Sequence, residues 1–330
     1  MISIERGVIM QPEEIIEAIK KEAPEIKSVY FVGCGASKAE LYPAKYFLEK
    51  NSRKLRIGHY TANEFVHATP AAVDGSAIVI TCSLGGNTPE TVEAARLAGE
   101  LGAHVIAVTH KADSPLARNA KYVLVHGFEK NYAAKLEKMN YTLWIAAEIL
   151  RAYEGYDHYE DMKKALGMID DIIENAVKHV GPAAEAFAQA YKDAPVVYTM
   201  SSGPSQCVAY TFSLCLMMEM QWINSGTFHD GEFFHGPFEI VDKNVPFIII
   251  MNDGPTRALD TRALTFLQRF NALTTVIDGK DYGVGSLPES VKEYFNPMVV
   301  SAVLRVYAEH ISDLRNHPLT MRRYMWKLEY

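Results

Sequence analysis

Glu219 and His235 stand 16 positions apart, the carboxylate near the end of an apolar run and the imidazole directly before Gly236-Pro237. These are the side-chain types best suited to moving protons near neutral pH. The pattern points to acid–base chemistry on a small molecule, with Glu219 ending a helix and His235 lying beyond a Gly-bearing turn. Two other turns, Gly33-Cys34-Gly35-Ala36-Ser37 and Ser83-Leu84-Gly85-Gly86-Asn87-Thr88, are rich in glycine and hydroxyls. Each follows a strand-like run and precedes a helix-like one, where unpaired helix N–H groups and a closely approaching backbone hold an anion. A phosphate fits Gly35, Ala36, Ser37, Ser83, Gly85, Gly86 and Thr88. A dinucleotide does not, because Lys38 stands where the third glycine of Gly-x-Gly-x-x-Gly belongs and no acidic residue ends the second strand.

The elements that must carry these turns alternate short apolar runs with longer amphipathic ones, the sign of α/β architecture on parallel sheets. Strands are expected at 28–32, 54–60, 77–82, 104–109 and 122–125, then at 195–200, 245–251 and 273–277. Helices are expected at 37–49, 88–101, 132–153 and 205–222, with helical sequence through 156–192 and after Pro288. The implied organisation is a helical lead-in (1–26), a first α/β subdomain (27–155), connecting helices (156–192) and a second subdomain (193–330). A shift of 168 positions lays one half on the other without gaps: Tyr30 on Tyr198, Gly35 on Gly203, Ser37 on Ser205, Glu64 on Glu232, His67 on His235 and Val108 on Val276. Such self-similarity indicates duplication. The copies differ at the second turn, where half two has Met251-Asn-Asp253-Gly-Pro-Thr256, so only half one is expected to bind an anion.

The bulk composition is that of an ordinary globular protein, 48% hydrophobic and 22% charged over 330 residues. A formal net charge of -7 argues against nucleic acid or an anionic membrane as partner. No run approaches the roughly 20 apolar residues of a membrane span, and Met1 to Arg6 lacks the start of a secretory leader, so a cytoplasmic location is expected. The four cysteines form no Cys-x-x-Cys pair and read as free thiols. His229, Glu232 and His235 do not have the spacing of a His-Glu-x-x-His motif, and no metal or cofactor is expected.

The two turns and the Glu219/His235-Gly236-Pro237 spacing resemble the sugar isomerase (SIS) family of phosphosugar-binding proteins. The resemblance implies two duplicated SIS subdomains, each a parallel sheet flanked by helices in three layers, and a homodimer or higher homo-oligomer with composite active sites. It implies that the two turns hold a sugar phosphate, that Glu219 moves protons between sugar carbons, and that His235 opens the ring. Within the family, Leu216 replaces a lysine three residues before the catalytic glutamate, and Gly85 replaces a phosphate-binding serine. With the tail bearing Arg322, Arg323 and Tyr324, a possible lid, these departures resemble the fructosamine-6-phosphate deglycases, including those acting on fructoselysine or glucoselysine 6-phosphate. The implied substrate is a small phosphosugar amine. The alternatives are an amino-sugar phosphate isomerase or deaminase, and a phosphosugar sensor without turnover.

Overall fold

The computed structural model describes residues 7–329; the readings placed on Met1 to Arg6 and on Tyr330 lie outside them. Contacts divide the chain into two compact units, up to Gly167 and from Met168, the division falling inside the helix Tyr159–Val177.

Among its described residues the first unit holds six parallel strands: β1 (Val8–Ile9), β2 (Ser28–Gly33), β3 (Arg56–Thr61), β4 (Ala77–Cys82), β5 (His104–Thr109) and β6 (Tyr122–Val125), in the order β1-β6-β5-β4-β2-β3. β2 and β4 are buried along their whole length, as expected of central strands covered on both faces. The helix expected at 37–49 is two helices, Gly35–Glu40 and Tyr42–Asn51, meeting at Leu41 just before Pro43. The long helix Tyr132–Tyr153 has the boundaries read from the sequence.

The second unit holds four parallel strands, β7 (Val196–Ser201), β8 (Asn224–His229), β9 (Pro246–Met251) and β10 (Leu273–Asp278), in the order β10-β9-β7-β8. The shared order is the mark of duplication: with β1 set aside as an edge strand, the first strand of each repeat, β2 or β7, lies between the second and the third. Register repeats too, with Tyr30 opposite Gly58 and Val79, and Tyr198 opposite Gly226 and Phe247. The gapless shift fails at the fourth strand. Val79 pairs with Val105, but Phe247 pairs with Thr274, so Val108 matches Ile277 and not Val276. The extra residue sits in the helix before it, 12 residues long at Pro89–Glu100 and 13 at Arg257–Arg269. Both helices end in the same left-handed cap, at Gly102 (φ 88°) and Asn271 (φ 51°), with Ala103 N–H donating to Ala98 O and Ala272 N–H to Leu267 O, each at 3.0 Å.

Candidate functional site

In an open parallel sheet, ligands settle where successive connections leave in opposite directions, beyond the C-terminal strand ends. In the first unit that point lies between β2 and β4, and Gly33 pairs with Cys82 there, so both glycine-rich turns leave from neighbouring residues. Gly35 has φ 53° and Gly86 φ 66°, a left-handed backbone that glycine adopts without steric cost, and the Gly86 N–H closes the second turn on Ser83 O at 3.1 Å. A side chain on Gly86 would strike Ser114 Oγ at 2.1 Å, whereas one on Gly35 would meet nothing within 4 Å. The space above Gly35 is open. Ser83 and Thr88 hydroxyls lie 2.9 Å apart across the second turn, and Pro89 opens the helix beyond it. Gly85 is not forced by crowding, since an added Cβ would meet only Asn87 Nδ2 at 3.6 Å.

Sequence reasoning passed over Lys138, a 4% exposed lysine on the helix Tyr132–Tyr153. It forms an ion pair with Glu40 and lies 3.5 Å from Ser37 Oγ. The sequence held no signal for it, because Leu136-Glu137-Lys138-Met139-Asn140 reads as an ordinary, largely polar helical stretch. Cys82 is an unsuitable nucleophile, because burial pushes its thiol up to about 11.

The second unit places Glu219 in a different setting. The helix expected at 205–222 opens as a short α-helix, Gln206–Tyr210, then widens into π-helical turns over Thr211–Gln221. It ends at Trp222 with φ 56°, a left-handed conformation costing a bulky residue roughly 1–2 kcal/mol. The reading of 219–235 as helix and turn needs correction, because β8 intervenes. Met218 is 45% exposed and lines a cleft of about 520 Å³ together with Glu219, Trp222, Asn224 and the tail residues Arg322 to Met325. Leu216, at the family's lysine position, is buried.

The Glu219 carboxylate accepts an ion pair from Arg322 Nη2 at 2.7 Å, and its side chain is 25% exposed. Burial raises its pKa above the usual carboxylate range, and the Arg322 charge and hydrogen bond oppose that rise. The tail residues Arg322, Arg323 and Tyr324 thus border the carboxylate. His235 is exposed, in a turn whose backbone is tied by His235 N–H to Glu232 O at 2.9 Å, and it is not among the residues lining the cleft. Its counterpart His67 ends a short helix, Ala62–His67, so the matched sequence adopts different backbones in the two units.

Ahead of that turn, Asp230 is 2% exposed, with its carboxyl beside that of Asp260. Asp260 accepts from Ser202 Oγ and, at 2.7 Å, from Asn252 N–H. Desolvation raises both acids, and the mutual repulsion of two buried carboxylates keeps a proton on Asp230.

The SIS domain family model matches residues 25–136. Fructosamine deglycase FrlB of Bacillus subtilis (strain 168) is 42% identical over 305 residues, spanning 92% of this chain and 93% of that protein. The chain belongs to the SIS family. Fructoselysine 6-phosphate deglycase of Escherichia coli (strain K12) is 24% identical over 98% of the chain and 93% of its own length. A solved chain from Salmonella typhimurium LT2, described as a candidate phosphosugar isomerase, is 43% identical, with TM-score 0.94 over 97% of this chain and 96% of that one. The C-terminal domain of glucosamine-fructose-6-phosphate aminotransferase from Francisella tularensis, 17% identical with TM-score 0.76 and 94% coverage of each chain, shares the fold. Among the described residues of this SIS protein, no helix is long and apolar enough to cross a membrane.

Proposed function

We propose that the protein is a fructosamine-6-phosphate deglycase, converting a 1-amino-1-deoxyketose 6-phosphate and water into an aldose 6-phosphate and a free amine. The observation that carries the reading is Glu219: a half-buried carboxylate of raised proton affinity, in a cleft large enough for a sugar amine, with no lysine at position 216. The B. subtilis relative, itself a fructosamine deglycase, supports the same reading over nearly the full length of both chains.

In this mechanism Ser37, Ser83 and Thr88, with the backbone of Gly35, Ala36, Gly85 and Gly86, take the phosphate and fix the sugar's register. His235 transfers a proton at the ring oxygen to open the ring. Glu219 then removes a proton from C1 while the C2 carbonyl oxygen takes up a proton, which leaves an enaminol; it returns its proton to C2 as the nitrogen gives up one, which leaves an imine at C1 and a hydroxyl at C2. Water adds to C1, the C1–N bond breaks, and the amine departs with a proton. Positioned acid–base groups of this kind contribute roughly 10²–10⁴-fold each. The exposure of His235, away from the cleft lining, fits a homo-oligomer whose sites draw on more than one protomer. The low acidic net charge and the free cysteines fit an enzyme of the cytoplasm working on a small phosphosugar amine.

The test is incubation with a panel of fructosamine 6-phosphates and measurement of glucose 6-phosphate. Release of aldose phosphate by the wild type, lost in Glu219→Gln and His235→Ala, is the expected result. Release of ammonia or a ketose phosphate from glucosamine 6-phosphate, with the panel untouched, would replace the reading by the isomerase or deaminase one.

A further inference from the structure

The cleft beside Glu219 is bordered by two guanidinium groups in different situations. Arg322 is buried and committed: it pairs with Glu219 and donates to the carbonyls of Leu319 and Met321 at 2.8 Å each. Arg323 is exposed, and its contacts are to ring faces, 4.3 Å from the centroid of Trp222 and 6.0 Å from that of Tyr324. No carboxylate of the described residues pairs with it. Trp222 is itself fixed, by its left-handed backbone and by an edge-on contact with His317 at 4.4 Å. A guanidinium held over the face of an indole can still present N–H groups outward, and their fork matches the two oxygens of a carboxylate.

We infer that Arg323, stacked on Trp222, binds the carboxylate of the amino-acid part of the substrate, so that the enzyme selects fructosamine 6-phosphates of amino acids over those of simple amines. The inference rests on the deglycase reading and narrows it. Arg322 cannot fill this role without abandoning Glu219, which would leave a half-buried carboxylate uncompensated. The remaining cleft wall, Met218 and Met325 with Asn224, is largely apolar and suits the carbon chain between amine and carboxylate.

The experiment compares matched substrates: the fructosamine 6-phosphate of alanine against that of ethylamine, and of ε-linked lysine against that of 1,5-diaminopentane. The wild type is expected to prefer the carboxylate-bearing member tenfold or more in kcat/KM. In Arg323→Met the ratio is expected to fall to near one, and in Arg323→Lys to recover in part, because a point charge restores attraction without the two-pronged fit. A wild-type ratio near one overturns the inference, as does an equal loss on both substrates in Arg323→Met. If neither compound is turned over while both still bind, the deglycase reading fails. The carboxylate subsite is then decided by the same ratio in equilibrium binding, where near-equal affinities overturn it.

Discussion

The two halves place the same turn in opposite conditions. Gly35 and Gly203 share a left-handed backbone, φ 53° and 55°, yet an added side chain meets nothing at the first and Thr256 Oγ1 at 2.5 Å at the second. Ser37 is partly open, while Ser205 is buried and held by Asn252 Oδ1 at 3.0 Å and Asn296 Nδ2 at 2.8 Å. The second copy has filled its cradle with its own amides and hydroxyls and keeps the turn as structure. The reverse holds one helix later. Half one ends its helix at Asn51, whose amide donates to Phe47 O, where half two has Glu219 on a widened helix beside a cleft. Duplication supplied two frames, and each retains the feature that the other has lost.

The sharpest way to break this division is at Glu219. Glu219→Gln is expected to lower kcat by about 10²–10⁴-fold, while Asn51→Ala at the matched position leaves turnover intact and loses one helix-end hydrogen bond. Steady-state kinetics on a fructosamine 6-phosphate reads both. Loss of turnover in Asn51→Ala with the fold preserved would end the assignment of chemistry to half two. The serines give the converse test. Ser83→Ala with Thr88→Ala is expected to weaken sugar-phosphate binding tenfold or more by titration calorimetry, since each hydroxyl bond to a charged group is worth about 1.5–3 kcal/mol. Ser205→Ala instead leaves that affinity alone and costs about 1–3 kcal/mol in urea denaturation, because Asn252 Oδ1 and Asn296 Nδ2 each lose a buried hydrogen bond. Exchanged outcomes would contradict the filled cradle.

Two pH experiments sharpen the picture within half two. Glu219 must be ionised to act as a base, so activity falls as pH drops through its raised pKa. Arg322 holds that value down, so Arg322→Met is expected to move the acid limb of kcat to higher pH; an unmoved or lowered limb would separate the ion pair from catalysis. Asp230 has a folded pKa raised above its unfolded one, so its stabilising contribution is full below the ordinary carboxylate range and is lost as pH rises toward the folded value. Asp230→Asn cannot titrate, and its amide offers a donor to the neighbouring Asp260 carboxyl. Its melting temperature relative to wild type is therefore expected to climb between pH 4 and pH 9, and a constant difference would remove the shared proton. The smallest effect is at Gly85: Gly85→Ser has room for its side chain and is expected to tighten sugar-phosphate affinity a few-fold, with no change in stability beyond about 0.5 kcal/mol.

Much of the fold was legible because the central strands are buried on both faces, so β2, β4 and β9 read as unbroken apolar runs. β8 was missed for the opposite reason: it pairs only with β7, no residue of it is fully buried, and Asn224-Ser-Gly-Thr-Phe-His229 carries little strand signature. The widened helix left no trace either, since an apolar run at 211–218 looks alike with 3.6 residues per turn or more. The two anion turns could be located from glycines and hydroxyls in strand-to-helix context, and the topology accounts for their meeting at paired strand ends. Lys138 behind Ser37 and the pairing of Arg322 with Glu219 were illegible, because both depend on tertiary packing between segments far apart in sequence.

The crowding over Gly203 has an evolutionary reading. Asn296, Ser205, Asn252 and Thr256 are joined there in one run of hydrogen bonds, so reopening the second cradle demands several simultaneous replacements, each of which alone strands a buried polar group. Such a filling behaves as a ratchet: once the descendant copy had knitted its own polar groups together, single-step mutation offered no neutral path back to a two-phosphate ancestor.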